Sequence, residues 1–326
     1  MRDRSVRREF LLRKPLARFT IPQMTSLVAA RSSRQVFLVG LTIAIAGAIL
    51  FSAKAIVAKL IYRYPVDAVT LIGFRMIFSL PFFAAVAIWK ARNSRPLDFG
   101  DRVRIVVLGL LGYYISSFLD FIGLQYITAG LERLILFLTP SFVLLISVVF
   151  LNKRIGRMEW MALGTSYLGT VLVFVHDAQH GGANVVVGGS FVLASAICYA
   201  VYLILSGELV LRVGAVRLVA YAMCVSSAAC ILQFLLLRPL STLVQPPAIY
   251  GLSLINAVVC TVLPVFMTMI AVARIGAATA SQAGMIGPVS TLFMGAVILN
   301  EPVTAIQLAG TALVLAGIYL LSKKRA

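Results

Sequence analysis

Residues 127–152 read ITAGLERLILFLTPSFVLLISVVFLN, and residues 275–300 read IGAATASQAGMIGPVSTLFMGAVILN. Laid over one another without a gap, Ile127 falls on Ile275, Pro140 on Pro288, Leu151 on Leu299 and Asn152 on Asn300, and the register runs on to Gly169 and Gly317. Coincidences of Leu, Ile and Ala mean little in a chain that is 61% hydrophobic. Those of Pro and Asn at a single offset of 148 positions carry the match. An internal repeat in a membrane chain points to a secondary carrier, because many carriers are two copies of one helical bundle facing each other across a central site.

The bilayer is this chain's solvent. Its 326 residues have 12% charged side chains and a mean hydropathy of +0.99, too much apolar surface for one or two soluble domains. Charged, Gly and Pro punctuation leaves apolar stretches near 37–61, 67–89, 104–126, 130–151, 157–175, 187–207, 216–237, 248–271, 277–299 and 303–321. Runs of roughly 20 residues cross about 30 Å of hydrocarbon as helices. They lack the period-two alternation of barrel strands, so the expected fold is an all-α integral membrane protein with ten transmembrane helices.

The net charge of +18 follows topology. Alternate connections hold Lys90, Arg92, Arg95, Arg102 and Arg104, then Lys153, Arg154 and Arg157, then Arg212 and Arg217, then Arg274; the opposite ones hold Arg63, Arg133 and Arg238. The positive-inside rule then puts both termini in the cytoplasm of a multi-pass protein of the plasma (inner) membrane. No basic surface remains for nucleic acid. Residues 1–36 form a basic tail without the apolar core of a secretory signal. Its Arg-rich, acid-poor composition has some likeness to an organelle transit peptide. The expected reading is a cytoplasmic tail against anionic lipid, or an over-long start with Met24 as the true one, which makes residues 1–23 dispensable. Cys198, Cys224, Cys230 and Cys260 lie in predicted spans without metal-ligand spacing and read as small core residues.

Five helices per copy is an odd number, so the second copy enters the membrane from the opposite side. The two halves, 37–176 and 187–322, are thus expected to be inverted five-helix repeats. Pro140 and Pro288 fall mid-span on the fourth and ninth helices, where each removes a backbone hydrogen bond and frees carbonyls: a candidate hinge or binding site. Small residues four apart, Gly40, Ala44, Ala48 and Ser52 on the first helix and Ser190, Ala194 and Cys198 on the sixth, suit close helix packing. Lys54, Lys59, Arg75, Asp120, Glu132 and Arg133 are ionisable residues inside spans, each costly unless paired or wet. Lys54, Arg75 and Asp120 fall at similar depth and are expected to form one cluster, either a structural pair or a substrate- or proton-binding site. Lys59, Glu132 and Arg133 fall nearer the outer interface, where long side chains snorkel. Tyr113, Tyr114 and Phe118 on the third helix, with Tyr199 and Tyr202 on the sixth, are candidates for stacking on an organic substrate, or are simply core. His176 and His180 share an outer loop and do not read as a metal site.

These residues together resemble the drug/metabolite transporter superfamily, in particular its EamA-type ten-helix members, over about residues 37–321. The motifs are Gly123-Leu124-Gln125-Tyr126-Ile127-Thr128-Ala129-Gly130 leading to Pro140, Ile275-Gly276-Ala277-Ala278 leading to Pro288, and Leu299-Asn300-Glu301-Pro302-Val303 followed by Gln307 to Gly310 and Gly317. The resemblance implies a central cavity lined by the first, third, fourth, sixth, eighth and ninth helices, with the fifth and tenth at the periphery. The chain departs from the pattern at Lys153, which stands where Glu301 stands in the other copy, and at Glu132 with Arg133, in a stretch usually small and apolar.

The expected function is therefore an alternating-access secondary transporter of small organic metabolites, amino acids or amphiphilic drugs among them, working in export. Protons are the candidate coupling ion; no cofactor is implied, and a monomer suffices. A flippase for lipid-linked substrates and a receptor or scaffold without transport are the alternatives. An intramembrane enzyme would need a nucleophile with its base, or a metal triad, and the residues offer neither. No nucleotide-binding loop occurs.

Overall fold

A computed structural model of the chain describes residues 22–151, 156–181 and 183–323, and no strand occurs among them. Nine of the described helices are long and apolar enough to cross a bilayer, and a shorter apolar helix follows. In chain order they are α1 (Pro22–Ile61), α2 (Ala68–Arg92), α3 (Phe99–Leu124), α4 (Ala129–Phe150), α5 (Arg157–Gly181), α6 (Ala183–Val213), α7 (Ala215–Leu237), α8 (Pro247–Gly276), α9 (Gln282–Leu299) and α10 (Ala305–Lys323). Residues 1–21 of the basic tail, Asn152, Lys153, Arg154 and the side chain of His180 lie outside the described residues.

Local chemistry sets the helix ends. Asp67 caps α2 through the amides of Val69 and Thr70, Asp98 caps α3 through Gly100, and Thr128 caps α4 through Leu131. Gly214 (φ 87°) separates α6 from α7 and Gly276 (φ 79°) ends α8, both in a backbone region that disfavours any side chain.

The packing pairs α1 with α8 and α9, α6 with α3 and α4, α2 with α7, and α5 with α10. Exchanging the first five helices for the last five leaves this set of pairings unchanged. The α5–α10 crossing shows the same exchange at residue level. A Cβ on Gly169 would meet the Gly310 carbonyl at 2.6 Å and Val314, while one on Gly317 would meet the Ala162 carbonyl at 2.6 Å and Ser166. Val314 is the copy of Ser166 and Gly317 the copy of Gly169, so each helix offers the other the same patch.

The small-residue stripes need correction. On α1, Gly40, Ala44 and Ser52 face inward, with Gly40 against Arg274 and Ile275 at the end of α8. On α6 the packed face is Gly188, Val192 and Ser195 against Gly123 and Ser116 of α3, whereas Ser190 is exposed. Thus α1 and α6 each pack on a helix of the other half.

The offset of 148 returns in the backbone. Wide π-turns interrupt α3 at Leu110–Ile115 and α8 at Val258–Val262, starting at equivalent positions. Expected as a single run, α4 breaks at Phe137 (ψ −8°), and the chain entering α9 breaks at Met285 (ψ −13°). Each break stands three residues before its proline, Pro140 or Pro288. The pyrrolidine ring crowds the carbonyl of the residue four back, Leu136 or Gly284, and the helix opens there.

Candidate functional site

Helices α1, α3 and α4 bring three charges together in the interior. Lys54 Nζ lies 2.5 Å from Asp120 Oδ2 and 3.3 Å from Glu132 Oε1, and all three side chains are nearly inaccessible. The expectation that Asp120 joins Arg75 or Lys54 resolves to Lys54. Glu132, expected towards the interface, is 0% exposed, and neither of its carboxylate oxygens has a hydrogen-bond donor. The Lys54 ammonium also sits over the rings of Phe51 and Phe121, 5.6 and 5.3 Å from their centroids.

Two arginines flank this triad. Arg75 donates from Nε to Thr261 Oγ1 at 2.9 Å, inside the α8 π-turn, and its guanidinium lies 5.0 Å from the centroid of the Phe121 ring. Its Nη1 has no partner. Arg133, expected to snorkel, is instead buried between the rings of Phe51 and Phe137, at 5.1 and 5.2 Å. It donates from Nη2 to Ser52 Oγ, whose single hydroxyl proton is shared between the carbonyls of Ala48 at 2.8 Å and Gly287 at 3.1 Å. Arg133 therefore touches both helix breaks: Phe137 is the break residue of α4, and Gly287 precedes Pro288 in α9. Pro288 is buried, whereas Pro140 is exposed.

The aromatic candidates form a second centre. Tyr113 and Tyr202 share a hydroxyl–hydroxyl hydrogen bond of 3.2 Å, and Tyr199 stacks on Tyr202 with centroids 5.5 Å apart. The Tyr202 ring lies on the bare backbone of Gly112, where any Cβ would collide with it. Tyr114 stands apart, stacked on Phe118. Shifted by 148, Phe51 becomes Tyr199, Lys54 becomes Tyr202 and Tyr113 becomes Thr261. Under the exchange of halves the tyrosine centre, which joins Tyr113 of the first half to Tyr199 and Tyr202 of the second, thus falls on the Phe51, Lys54 and Thr261 positions beside the charged centre.

Several residues that matter here carry no signal in the sequence. Ser52 was read only as a small packing residue, and Thr261 and Asn256, whose side-chain amide reaches the Lys54 carbonyl at 3.4 Å, look like ordinary span residues. Glu301 was noted as a motif, and its role is legible only in three dimensions: its carboxylate accepts from the Ala129 amide at 3.2 Å, at the positive end of α4. Burial pushes the Glu301 carboxyl up, and the Ala129 amide and Lys59 charge only partly offset this. At the same end of the bundle Tyr62 donates to the Phe121 carbonyl at 2.7 Å and Arg63 to the Leu299 carbonyl at 3.4 Å. His176 pairs with its neighbour Asp177 at 3.2 Å, and no cluster of metal-ligating side chains occurs among the described residues.

The profile of the EamA-like transporter family matches residues 38–175 and again residues 186–323. The uncharacterized transporter YcbK of Bacillus subtilis strain 168 is 31% identical over 272 residues, which span 81% of this chain and 86% of that protein. An uncharacterized transporter of Archaeoglobus fulgidus is 26% identical over 268 residues, 79% of this chain and 89% of its own length. A protein of known crystal structure superposes with a TM-score of 0.60 at 17% identity, covering 88% of this chain and 98% of its own. Nine membrane-length helices among the described residues, and a profile matched once in each half, make this multi-pass membrane chain a member of the EamA-like transporter family.

Proposed function

We propose that the protein is an alternating-access secondary transporter that exports small organic metabolites, with amino acids and amphiphilic drugs as candidate classes and protons as the candidate coupling ion. In this reading ten spans, with α10 as the tenth, form two inverted five-helix repeats, 37–176 and 187–322, in the plasma membrane with both termini cytoplasmic. The exchange-symmetric packing and the matched π-turns and breaks support the inverted halves. The end tied by Tyr62, Arg63 and Glu301 is then the outer end, closed in the described state.

One observation carries the reading: a buried lysine shared by carboxylates on two helices, one of which breaks beside it. A single fixed ion pair needs only one acid. With two, Lys54 keeps a partner whether α4 swings towards α3 or away, so the movement strands no charge in low dielectric. Glu132, without a hydrogen-bond donor, is the atom group placed to take a proton as the partnership changes. The alternative flippase reading would need a lateral path for a lipid tail, and a receptor or scaffold has no use for a doubly served lysine.

The experiment is a thermal-shift screen of purified protein against metabolites, followed by exchange in proteoliposomes. A ligand that prefers the folded state raises the melting temperature. Stabilising metabolites should exchange across the bilayer, and Asp120→Asn should abolish exchange while expression persists. Ligands that bind yet never exchange would leave only the receptor or scaffold. Reporter fusions after Gly182 and after Ala326 should lie on opposite sides; a shared side would reject the topology.

A further inference from the structure

We infer that the cleft between the end of α2 and the start of α7 is the seat of a phosphate group, with the headgroup of an anionic phospholipid as its source. The cleft measures about 190 Å³ and is lined by Lys90, Ser94 and residues 213–217. Arg217, on its wall, is 8% exposed, lies over the Tyr221 ring at 5.5 Å, and has no acceptor for its Nε. Among the described residues no acid comes within ion-pairing distance of Arg217 or Lys90. Asp101 is already held by Arg212, and Asp98 caps α3. A buried guanidinium without an anion is unfavourable.

The backbone adds to the same demand. The first intrahelical bond of α7 runs from the Leu218 amide to the Gly214 carbonyl at 3.0 Å, so the amides of Ala215, Val216 and Arg217 come before it, and no side chain caps them. Free amides at the positive end of a 23-residue helix favour an anion. A Cβ on Gly214 would meet nothing within 4 Å, so the approach to them is open. The opposite rim shows what belongs there. Shifted by 148, Asp67 becomes Ala215 and Lys90 becomes Arg238. At that rim the Asp67 carboxylate caps α2 through Val69 and Thr70 and accepts from Arg238. The cleft keeps the cation and the helix start, adds Arg217 as the copy of Val69, and has Ala215 in place of the carboxylate. An anion from outside completes it as Asp67 completes the other rim. Two cations and three amides offer more donors than one carboxylate takes up, and the oxygens of a phosphate can serve both groups. The membrane points to a lipid as the source. Trp89 is 56% exposed with the Lys90 ammonium over its ring at 4.5 Å, an aromatic suited to headgroup level. In the proposed topology this end meets the cytoplasmic leaflet, where anionic lipid collects basic side chains.

The test measures the melting midpoint of the full chain in a non-ionic detergent against sodium phosphate, sodium chloride of equal ionic strength, short-chain phosphatidylglycerol and short-chain diacylglycerol. Phosphatidylglycerol should raise the midpoint at the lowest concentration and phosphate at a higher one, while chloride and diacylglycerol leave it in place. Arg217→Gln should raise the phosphatidylglycerol concentration needed by about tenfold, the loss expected for a charge-assisted contact. Arg238→Gln, at the opposite rim, should leave that concentration unchanged. Ala215→Asp keeps both cations and supplies the missing carboxylate, so it should raise the midpoint without lipid and abolish the response; it also serves if Arg217→Gln does not fold. Equal potency of phosphate and phosphatidylglycerol would keep the seat and assign it to a soluble phosphate. Chloride matching phosphate, diacylglycerol matching phosphatidylglycerol, an unchanged requirement in Arg217→Gln, or a full response in Ala215→Asp would overturn the inference. None of these measurements involves transport, so the seat stands or falls apart from the transporter reading.

Discussion

Helices α4 and α9 share a backbone break and almost nothing else. Both break three residues before a proline with nearly the same ψ, yet α4 carries Glu132 and Arg133 where the other copy has Ala280 and Ser281. Pro140 is exposed, while Pro288 is buried and follows Gly287, whose carbonyl accepts from Ser52. The same split runs through the first helix of each half, where Lys54 answers to Tyr202. The difference teaches that the helix break is built twice and the buried charge cluster once. A backbone break comes from proline geometry alone and survives any change of neighbours; a buried charge survives only with its whole set of partners.

The largest effect should come from breaking the charged side. Lys54→Met leaves Asp120 and Glu132 buried without a cation and should destabilise the protein by about 3–5 kcal/mol, the usual penalty for breaking a buried ion pair. Adding Asp120→Asn and Glu132→Gln should restore folding, measured as detergent-stable yield, without restoring transport. Recovery of transport in that triple variant would strip the cluster of any part in the mechanism.

The two hinges should respond unequally. Pro140→Ala changes an exposed ring and Pro288→Ala a buried one that lies next to the Arg133 network, so both should slow exchange, with Pro288→Ala the slower by about tenfold, or roughly 1.4 kcal/mol in barrier. Cysteine labelling along α4 and α9 with and without substrate would show the change in accessibility. Wild-type exchange in both variants would reduce the prolines to membrane-helix background.

How far these sites can be read without the fold depends on what each residue needs. Pro140 and Pro288 break a helix by their own covalent structure, so the repeat marks both breaks. Asp120 and Lys54 stood out because a charge in a span demands a partner, although which partner was open. Glu132 and Arg133, close to the start of α4, face inward onto Lys54 and Ser52 instead of snorkelling, and nothing along the chain marks which flank of the helix carries them. Ser52, Thr261, Asn256 and the Glu301 carboxylate take their meaning from atoms hundreds of positions away, as Ser52 does from Gly287, and no local pattern marks them. The packed face of α6 was missed because spacing of four fits either flank of a helix whose composition is apolar all round.

On the neutral side the effects should be smaller. Tyr202→Phe removes the hydrogen bond to Tyr113 but keeps the ring on Gly112 and Tyr199, so a loss of about 1 kcal/mol is expected, read from a thermal melt. Exchange should be reduced far less than by Asp120→Asn. Equal loss of exchange in the two would place recognition in both halves and end the asymmetry.

The smallest effect lies at the rim, where the halves also differ. Asp67, between α1 and α2, accepts from both Arg238 Nε and Nη2, the latter at 2.6 Å, and so ties the first half to the link after α7. The copies of these residues are Ala215 and Lys90, which cannot form the pair, so the tie exists at one end only. Burial alone would raise the Asp67 carboxyl, but the hydrogen bonds from Arg238 and Thr70 outweigh it and hold the group below its usual value. The folded pKa is then lower than the unfolded one, about 3.9. The stabilisation is complete above that value and is lost as pH falls through the folded pKa. Both partners are well exposed, so Arg238→Gln should cost no more than about 1 kcal/mol at pH 7. The difference in melting temperature between wild type and Arg238→Gln should hold from pH 7 to about 5 and shrink towards pH 3. A difference that persists unchanged at pH 3 would mean that Arg238 acts through packing and not through its charge, leaving no ionic tie at this rim.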